Sequence, residues 1–173
     1  MTSASNAVLA VDVQHAFLTA KAPADLPERI AAFIDLLAPG QVVATRYVNT
    51  PGSPCRELTG WTGAETSPDT DLHRAVAERA TRVLTKNTYG LREVPEFAGH
   101  VYVVGLDTDV CVHAAVTQLF DSGIDVVVVA DLCASAGGSE SHAAGLIALS
   151  RVVGKERVVQ SGRVLQGLAA VPA

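Results

Sequence analysis

The 173-residue sequence is short of basic charge, of cysteine and of long apolar runs, and each shortage removes a class of function. Its 13 Lys and Arg stand against 18 Asp and Glu, a net charge of -5. With no basic cluster, the chain lacks an electrostatic footprint for nucleic acid or an anionic membrane. The longest wholly apolar stretch, Val126 to Ala130, is far too short to span a bilayer. The opening MTSASNAV has no basic region, and Asp12 interrupts the apolar run behind it, so no signal peptide is expected. The three cysteines, Cys55, Cys111 and Cys133, are an odd number without Cys-x-x-Cys spacing. They read as reduced thiols of a cytoplasmic protein, not as a disulfide framework. Repeats, low-complexity tracts and linkers are absent. What is present is a 49% hydrophobic chain, enough for a full-sized core in one domain over residues 1–173.

Taken in order, the chain alternates strand and helix patterns. Ala7 to Val13 reads as a buried strand with Asp12 near its carboxyl end. Ile30, Phe33, Ile34 and Leu37 give the next segment a helical stripe, with Pro27 in its first turn and Pro39-Gly40 as its stop. Val42 to Val48 is a second strand. Asn49 to Thr70, rich in Pro, Gly, Ser and Thr, reads as a long loop of the kind that forms a lid or binding loop. It carries Trp61, the only tryptophan, which suits a pocket wall. Asp71 to Arg79 is a short helix, Arg82 to Thr85 a third strand followed by Lys86, and Ile124 to Ala130 a fifth strand. Ser139 caps a helix running to about Val153. Arg157 to Gln160 suits a sixth strand, and the tail after Gly162 is weakly patterned. Such alternation predicts an α/β fold with a parallel sheet and right-handed crossovers.

The fourth strand and its helix carry the chemistry. Val101 to Leu106 is a near-continuous apolar run, as a strand buried on both faces requires. Asp107-Thr108-Asp109 breaks it. Val112, Ala115, Val116, Leu119 and Phe120 then form one helical face. Cys111 falls in the first turn of that helix, where ligands bind in open α/β sheets. Thr108 or Asp109 can cap the helix, and its N-terminus favours a thiolate. A free cysteine is as often a small buried hydrophobe, so position alone leaves both readings open. Asp12, Lys86 and Cys111 all follow strand ends, which share one edge of a parallel sheet, so the three can converge as base, charge and nucleophile. Cys133 also follows a strand but has no helix starting at it. Cys55 has no visible activator.

Four segments in this order resemble the isochorismatase-like cysteine hydrolases. Asp12-Val13-Gln14-His15-Ala16-Phe17 is similar to the family's Asp-x-Gln-x-x-Phe opening, with His15 where Asn is usual. Thr85 to Gly90 is similar to the segment around the catalytic lysine, with Gly90 in place of Ser. Gly105 to Val112 is similar to the nucleophile motif, with Asp107 where a small residue is common. Asp131 to His142 is similar to the segment after the fifth strand. The resemblance implies a doubly wound, Rossmann-like sheet of about six strands flanked by helices. It implies a triad in which Asp12 takes the thiol proton, Lys86 lowers the thiol pKa and Cys111 attacks a carbonyl. It also implies oxyanion donors at the Asp107 and Cys111 N–H groups and a non-proline cis peptide at Leu106–Asp107. Phe17, Arg46, Asn49 and Trp61 are candidates for substrate binding, Arg46 through a bidentate hold on a carboxylate, a surface salt bridge being the equal alternative for it.

The expected activity is hydrolysis of a small amide or ureide C–N bond through a thioester. Cys111 argues against the family's isochorismate-cleaving branch, which lacks the cysteine. The nicotinamidase metal site uses Asp-x-His after the second strand; Arg46-Tyr47-Val48-Asn49-Thr50-Pro51 offers neither, and the nearest histidine, His73, suits a surface position. No metal or cofactor is therefore expected, and the partners expected are a small-molecule substrate and a second copy of the chain. Two other readings remain open: a Cys–His hydrolase with His15 as base, and an α/β scaffold that binds a ligand without turnover. A nucleotide-binding module is weak, because Gly105-Leu106-Asp107 begins no Gly-x-Gly-x-x-Gly.

Overall fold

The structure, a computed structural model, describes residues 6–169. Six parallel strands form one sheet in the order β3-β2-β1-β4-β5-β6. They are β1 (Ala7–Val11), β2 (Gln41–Tyr47), β3 (Arg82–Lys86), β4 (Val101–Gly105), β5 (Val126–Cys133) and β6 (Val158–Val159). The helices are α1 (Leu26–Leu37), α2 (Pro54–Thr59), α3 (Arg74–Ala77), α4 (Cys111–Asp121), α5 (Ser139–Val152) and α6 (Ser161–Ala169). The expected doubly wound α/β architecture is present. Because side chains alternate along a strand, β1 feeds two cores. Val8 and Ala10 pack with Ile30, Phe33 and Ile34 of α1, whereas Leu9 and Val11 pack with Val112, Ala115 and Leu119 of α4.

The strand order reverses between β1 and β4. That is the switch point at which the helices on either side diverge and leave a crevice at the carboxyl edge. Gly105, the last residue of β4, makes the close approach possible. It adopts φ +115, and a Cβ there would lie 2.1 Å from the Val11 carbonyl oxygen. Gly145 does the same from α5, where a Cβ would lie 2.8 Å from the Asp109 nitrogen.

Several elements differ from the sequence-based expectation. Within Asn49 to Thr70 lies a helix, α2, with Ser53 accepting from the Arg56 N–H, Pro54 in the first turn and Gly60 closing it at φ +74. The expected Asp71 to Arg79 helix shrinks to α3, whose start is capped by His73 Nδ1 accepting from Ala75; His73 is half-buried, not fully exposed. Strand β5 continues through Asp131 to Cys133, past a register shift against β4. Gly138, not Ser139, stands at the N-cap of α5. The weakly patterned tail forms α6, which seats Val164 in the core shared with α1. Residues 1–5 and 170–173 lie outside the described residues. No described helix is long and apolar enough to cross a membrane.

Candidate active site

Asp12, Lys86 and Cys111 converge at the carboxyl edge of the sheet. Asp12 directly follows β1 and adopts φ +46, a left-handed conformation uncommon outside glycine, asparagine and aspartate. Thr45 of β2 fixes it twice: its Oγ1 accepts the Asp12 N–H at 3.0 Å and donates to Asp12 Oδ1 at 2.6 Å. Lys86 ends β3, two strands away, and reaches across β2. Its Nζ donates to Asp12 Oδ2 at 2.6 Å and to the Thr88 and Tyr89 carbonyls at 3.0 Å each. It also lies 5.3 Å from the centre of the Tyr47 ring. All three ammonium protons are thus used. The side chains of Lys86 and Asp12 are 1% and 0% exposed, so neither charge is solvated and each depends on the other.

Cys111 is the first residue of α4 and is 6% exposed. Neither Thr108 nor Asp109 caps that helix. Val110 holds the N-cap position without a side-chain bond, and Thr108 Oγ1 instead donates to the Ala134 carbonyl beside His142 Nδ1, 2.7 Å away. Nor is the thiol acidified in the free protein, as the helix N-terminus and Lys86 alone predict. Burial raises its pKa, the Asp12 carboxylate raises it further, and Lys86 only partly opposes them. The balance of these causes keeps the proton on the Cys111 sulfur until a base takes it.

The turn between β4 and α4 completes the edge. Its Leu106–Asp107 peptide is cis. The Asp107 carbonyl accepts from the Val110 and Val112 N–H groups. No protein acceptor is bonded to the Asp107 or Cys111 N–H among the described residues. Two donors near one nucleophile can stabilise an oxyanion.

Of these groups Cys111 and Asp107 line a cavity of about 510 Å³, walled by Phe17, Tyr47, Trp61 and Tyr89 with Cys55 and Ala136 among the other lining residues; Asp12 and Lys86 are not part of its lining. Phe17 stacks on Trp61 at 6.1 Å, and Tyr47 stands 6.3 Å from the same ring. Phe17 and Trp61 thus both line this cavity. Arg46 and Asn49 do not line the cavity. Strand alternation turns Arg46 away from the face that carries Thr45 and Tyr47, and its guanidinium donates to Thr85 Oγ1. Asn49 is buried and ties down the α2 loop, donating to the Trp61 carbonyl and accepting from Ser53. His15 is exposed, packs near His73 at 5.9 Å and lines a different cavity.

Several contributors were given no role from the sequence. Gln14 is buried and donates to the Tyr47 and Thr70 carbonyls while accepting the Tyr47 N–H, so it joins β1, β2 and the loop behind the cavity. Thr45 and Tyr47 share one face of β2 with spacing two, the alternation that could have found them. Tyr89 and Cys55 meet at 3.5 Å across the cavity wall. Among the described residues, no three His, Cys, Asp or Glu side chains form a group suited to a metal ion.

The family model for the isochorismatase domain matches residues 6–157. The chain belongs to the isochorismatase family of hydrolases. No curated protein matches it significantly in sequence. Among solved structures, an isochorismatase-like hydrolase from Alkaliphilus metalliredigens superposes with a TM-score of 0.78 at 16% identity, covering 95% of this chain and 100% of that one. The N-carbamoylsarcosine amidase of Thermoplasma acidophilum gives 0.71 at 18% identity, with 91% and 96% covered. The nicotinamidase of Bacillus subtilis gives 0.70 at 18%, with 90% and 99% covered. At these identities the superpositions establish the fold that the family members share.

Proposed function

We propose that this isochorismatase-family hydrolase cleaves a small amide or ureide C–N bond, with Cys111 as nucleophile and Asp12 as general base. The observation that supports this most is the buried Asp12–Lys86 pair beside the Cys111 thiol, which itself lines the cavity. As the thiol sulfur attacks the carbonyl carbon, its proton passes to Asp12, so no free thiolate has to persist beforehand. The oxyanion that forms takes the Asp107 and Cys111 N–H groups. Asp12 returns the proton to the leaving nitrogen as the C–N bond breaks, leaving a thioester. Water then attacks the thioester carbon, gives its proton to Asp12, and releases the acid and the thiol. Lys86 holds the carboxylate in place and offsets its charge, but its donors are spent within the protein. The structurally similar proteins named as a nicotinamidase and an N-carbamoylsarcosine amidase agree with a C–N target.

Asp12→Asn separates this reading from a Cys–His hydrolase. It should lower kcat/KM for ammonia release from a panel of small amides and ureides by about a thousandfold or more. His15→Ala should keep most of the activity. The reverse pattern would assign the base to His15. A scaffold without turnover would release no ammonia from any compound in either form.

The same reading includes self-association and a cytoplasmic location. Phe120 and Ile147 expose 48% and 67% of their surface on α4 and α5, which pack side by side, apolar area that a second copy could cover. Sedimentation at micromolar concentration should show a dimer or larger species, and a monomer would refute this. A nucleophile that must remain a reduced thiol suits a reducing compartment; recovery in the soluble cytoplasmic fraction of lysed cells is the expected result, and recovery elsewhere the contrary one.

A further inference from the structure

The cavity carries one unusual charge. Its lining includes no Lys or Arg, and its only carboxyl side chain is that of Asp107. Asp107 Oδ1 accepts the Ala136 N–H at 2.7 Å, which fixes the group against the loop after β5. Oδ2 has no protein donor among the described residues, and so is left to bond from the cavity side. The same residue supplies a backbone N–H to the proposed oxyanion site. Its side chain lines the cavity beside Cys111, and the hydroxyls and indole N–H of the other walls are neutral, so Asp107 is the one charge the lining presents.

We propose that Asp107 is the specificity-determining residue, selecting amides whose acyl part carries a cationic or N–H-donating group on a flat apolar frame and rejecting those that carry a carboxylate. This rests on the amide-hydrolysing reading of the site. Phe17, Tyr47, Trp61 and Tyr89 suit the flat frame, and Oδ2 suits the donor. A substrate carboxylate would meet Asp107 with no counter-charge, because Lys86 is committed to Asp12 and Arg46 lies on the other face of β2.

The environment sets the pH range. Burial pushes the Asp107 carboxyl up to about 6; the Ala136 N–H opposes this, and the Asp109 and Asp12 carboxylates add to it. The other groups on the elements packed around it are the Cys111 thiol, Lys86 paired with Asp12, and His142 behind Thr108. Asp107 is therefore ionised at pH 7, and selection for a cation is lost as pH falls through about 6.

The test uses binding, so that it does not depend on turnover. Cys111→Ala protein is titrated calorimetrically with meta-(aminomethyl)benzamide, meta-toluamide and meta-carboxybenzamide. The amine should bind about 10–100-fold more tightly than the toluamide, the range expected of one charge-assisted hydrogen bond, and the carboxylate should bind most weakly. Asp107→Asn, which keeps an acceptor for Ala136, should bring the amine-to-toluamide ratio close to one. Lowering the pH below about 6 should do the same without mutation. An amine that binds no better than the toluamide, a preference that survives Asp107→Asn, or no binding of any of the three would overturn the proposal. Binding in the predicted order without ammonia release by the wild type would instead contradict the hydrolytic reading and leave the selection standing.

Discussion

Cys111→Ala should abolish hydrolysis and leave the fold standing. The thiol is the only group of that residue the proposed reaction uses, and alanine is the best helix former at the first position of α4. Truncation removes one buried sulfur atom beside the cavity, so melting and far-ultraviolet spectra should change little. Activity should fall below about a thousandth of wild type, because no remaining group can form the thioester. Cys55 shares the cavity but is tied to Thr59 Oγ1 at 3.6 Å and to the Tyr89 hydroxyl at 3.5 Å. Cys133 is buried in β5, with its sulfur directed at the Val103 carbonyl. Cys55→Ala is therefore the control: it should retain substantial activity. Ammonia release by the two variants, measured beside their thermal unfolding, checks both statements.

Lys86→Met should damage both stability and activity. Methionine keeps the length of the stem and removes the ammonium, which leaves the buried Asp12 carboxylate with the Thr45 hydroxyl as its donor. Breaking a buried pair in this way costs about 3–5 kcal/mol. Without the ammonium the carboxylate also loses the donor that holds it in place for the thiol proton, so activity should fall by at least about a hundredfold. The double variant Asp12→Asn/Lys86→Met tells the two effects apart. With both charges gone, much of the stability should return while activity stays lost, a coupling that urea unfolding and kcat/KM measure together. A Lys86→Met protein as stable and as active as wild type would show that the pair serves neither purpose.

The parts of the fold that the sequence revealed are those whose burial is uniform. Ala7 to Val11 and Val101 to Gly105 are apolar throughout because both faces of a central parallel strand are covered. The parts it concealed depend on contacts made across the chain. Asp131 reads as the end of a strand, yet β5 continues past it. Its carboxylate accepts the Ser161 N–H at 2.7 Å and the Ser161 hydroxyl at 2.6 Å, and so caps α6 from another element. That cap is also why a tail broken by Gly162 and Gly167 can be helical. Helix α2 has only six residues, too short for a stripe, although its Ser53-Pro54 start and Gly60 stop are in the sequence.

The site was legible to the extent that strand ends are. Asp12, Lys86 and Cys111 could be placed on one edge, but not the strand order that sends Lys86 over β2 to reach Asp12. Arg46 shows the opposite error: its residue type suits an anion, and its position in the alternation of β2 sets it on the wrong face. The protonated state of Cys111 was also beyond the sequence, since it turns on burial and on how near Asp12 comes.

The covalent intermediate is the most direct test of the account. Wild-type protein turning over a small aromatic amide can be acid-quenched within the first turnovers and mapped by peptide mass spectrometry. The account predicts a mass increase equal to the acyl group on the peptide that contains Cys111, removed by hydroxylamine and missing from Cys111→Ala. Product formation with no adduct, or an adduct confined to Cys55, would contradict it.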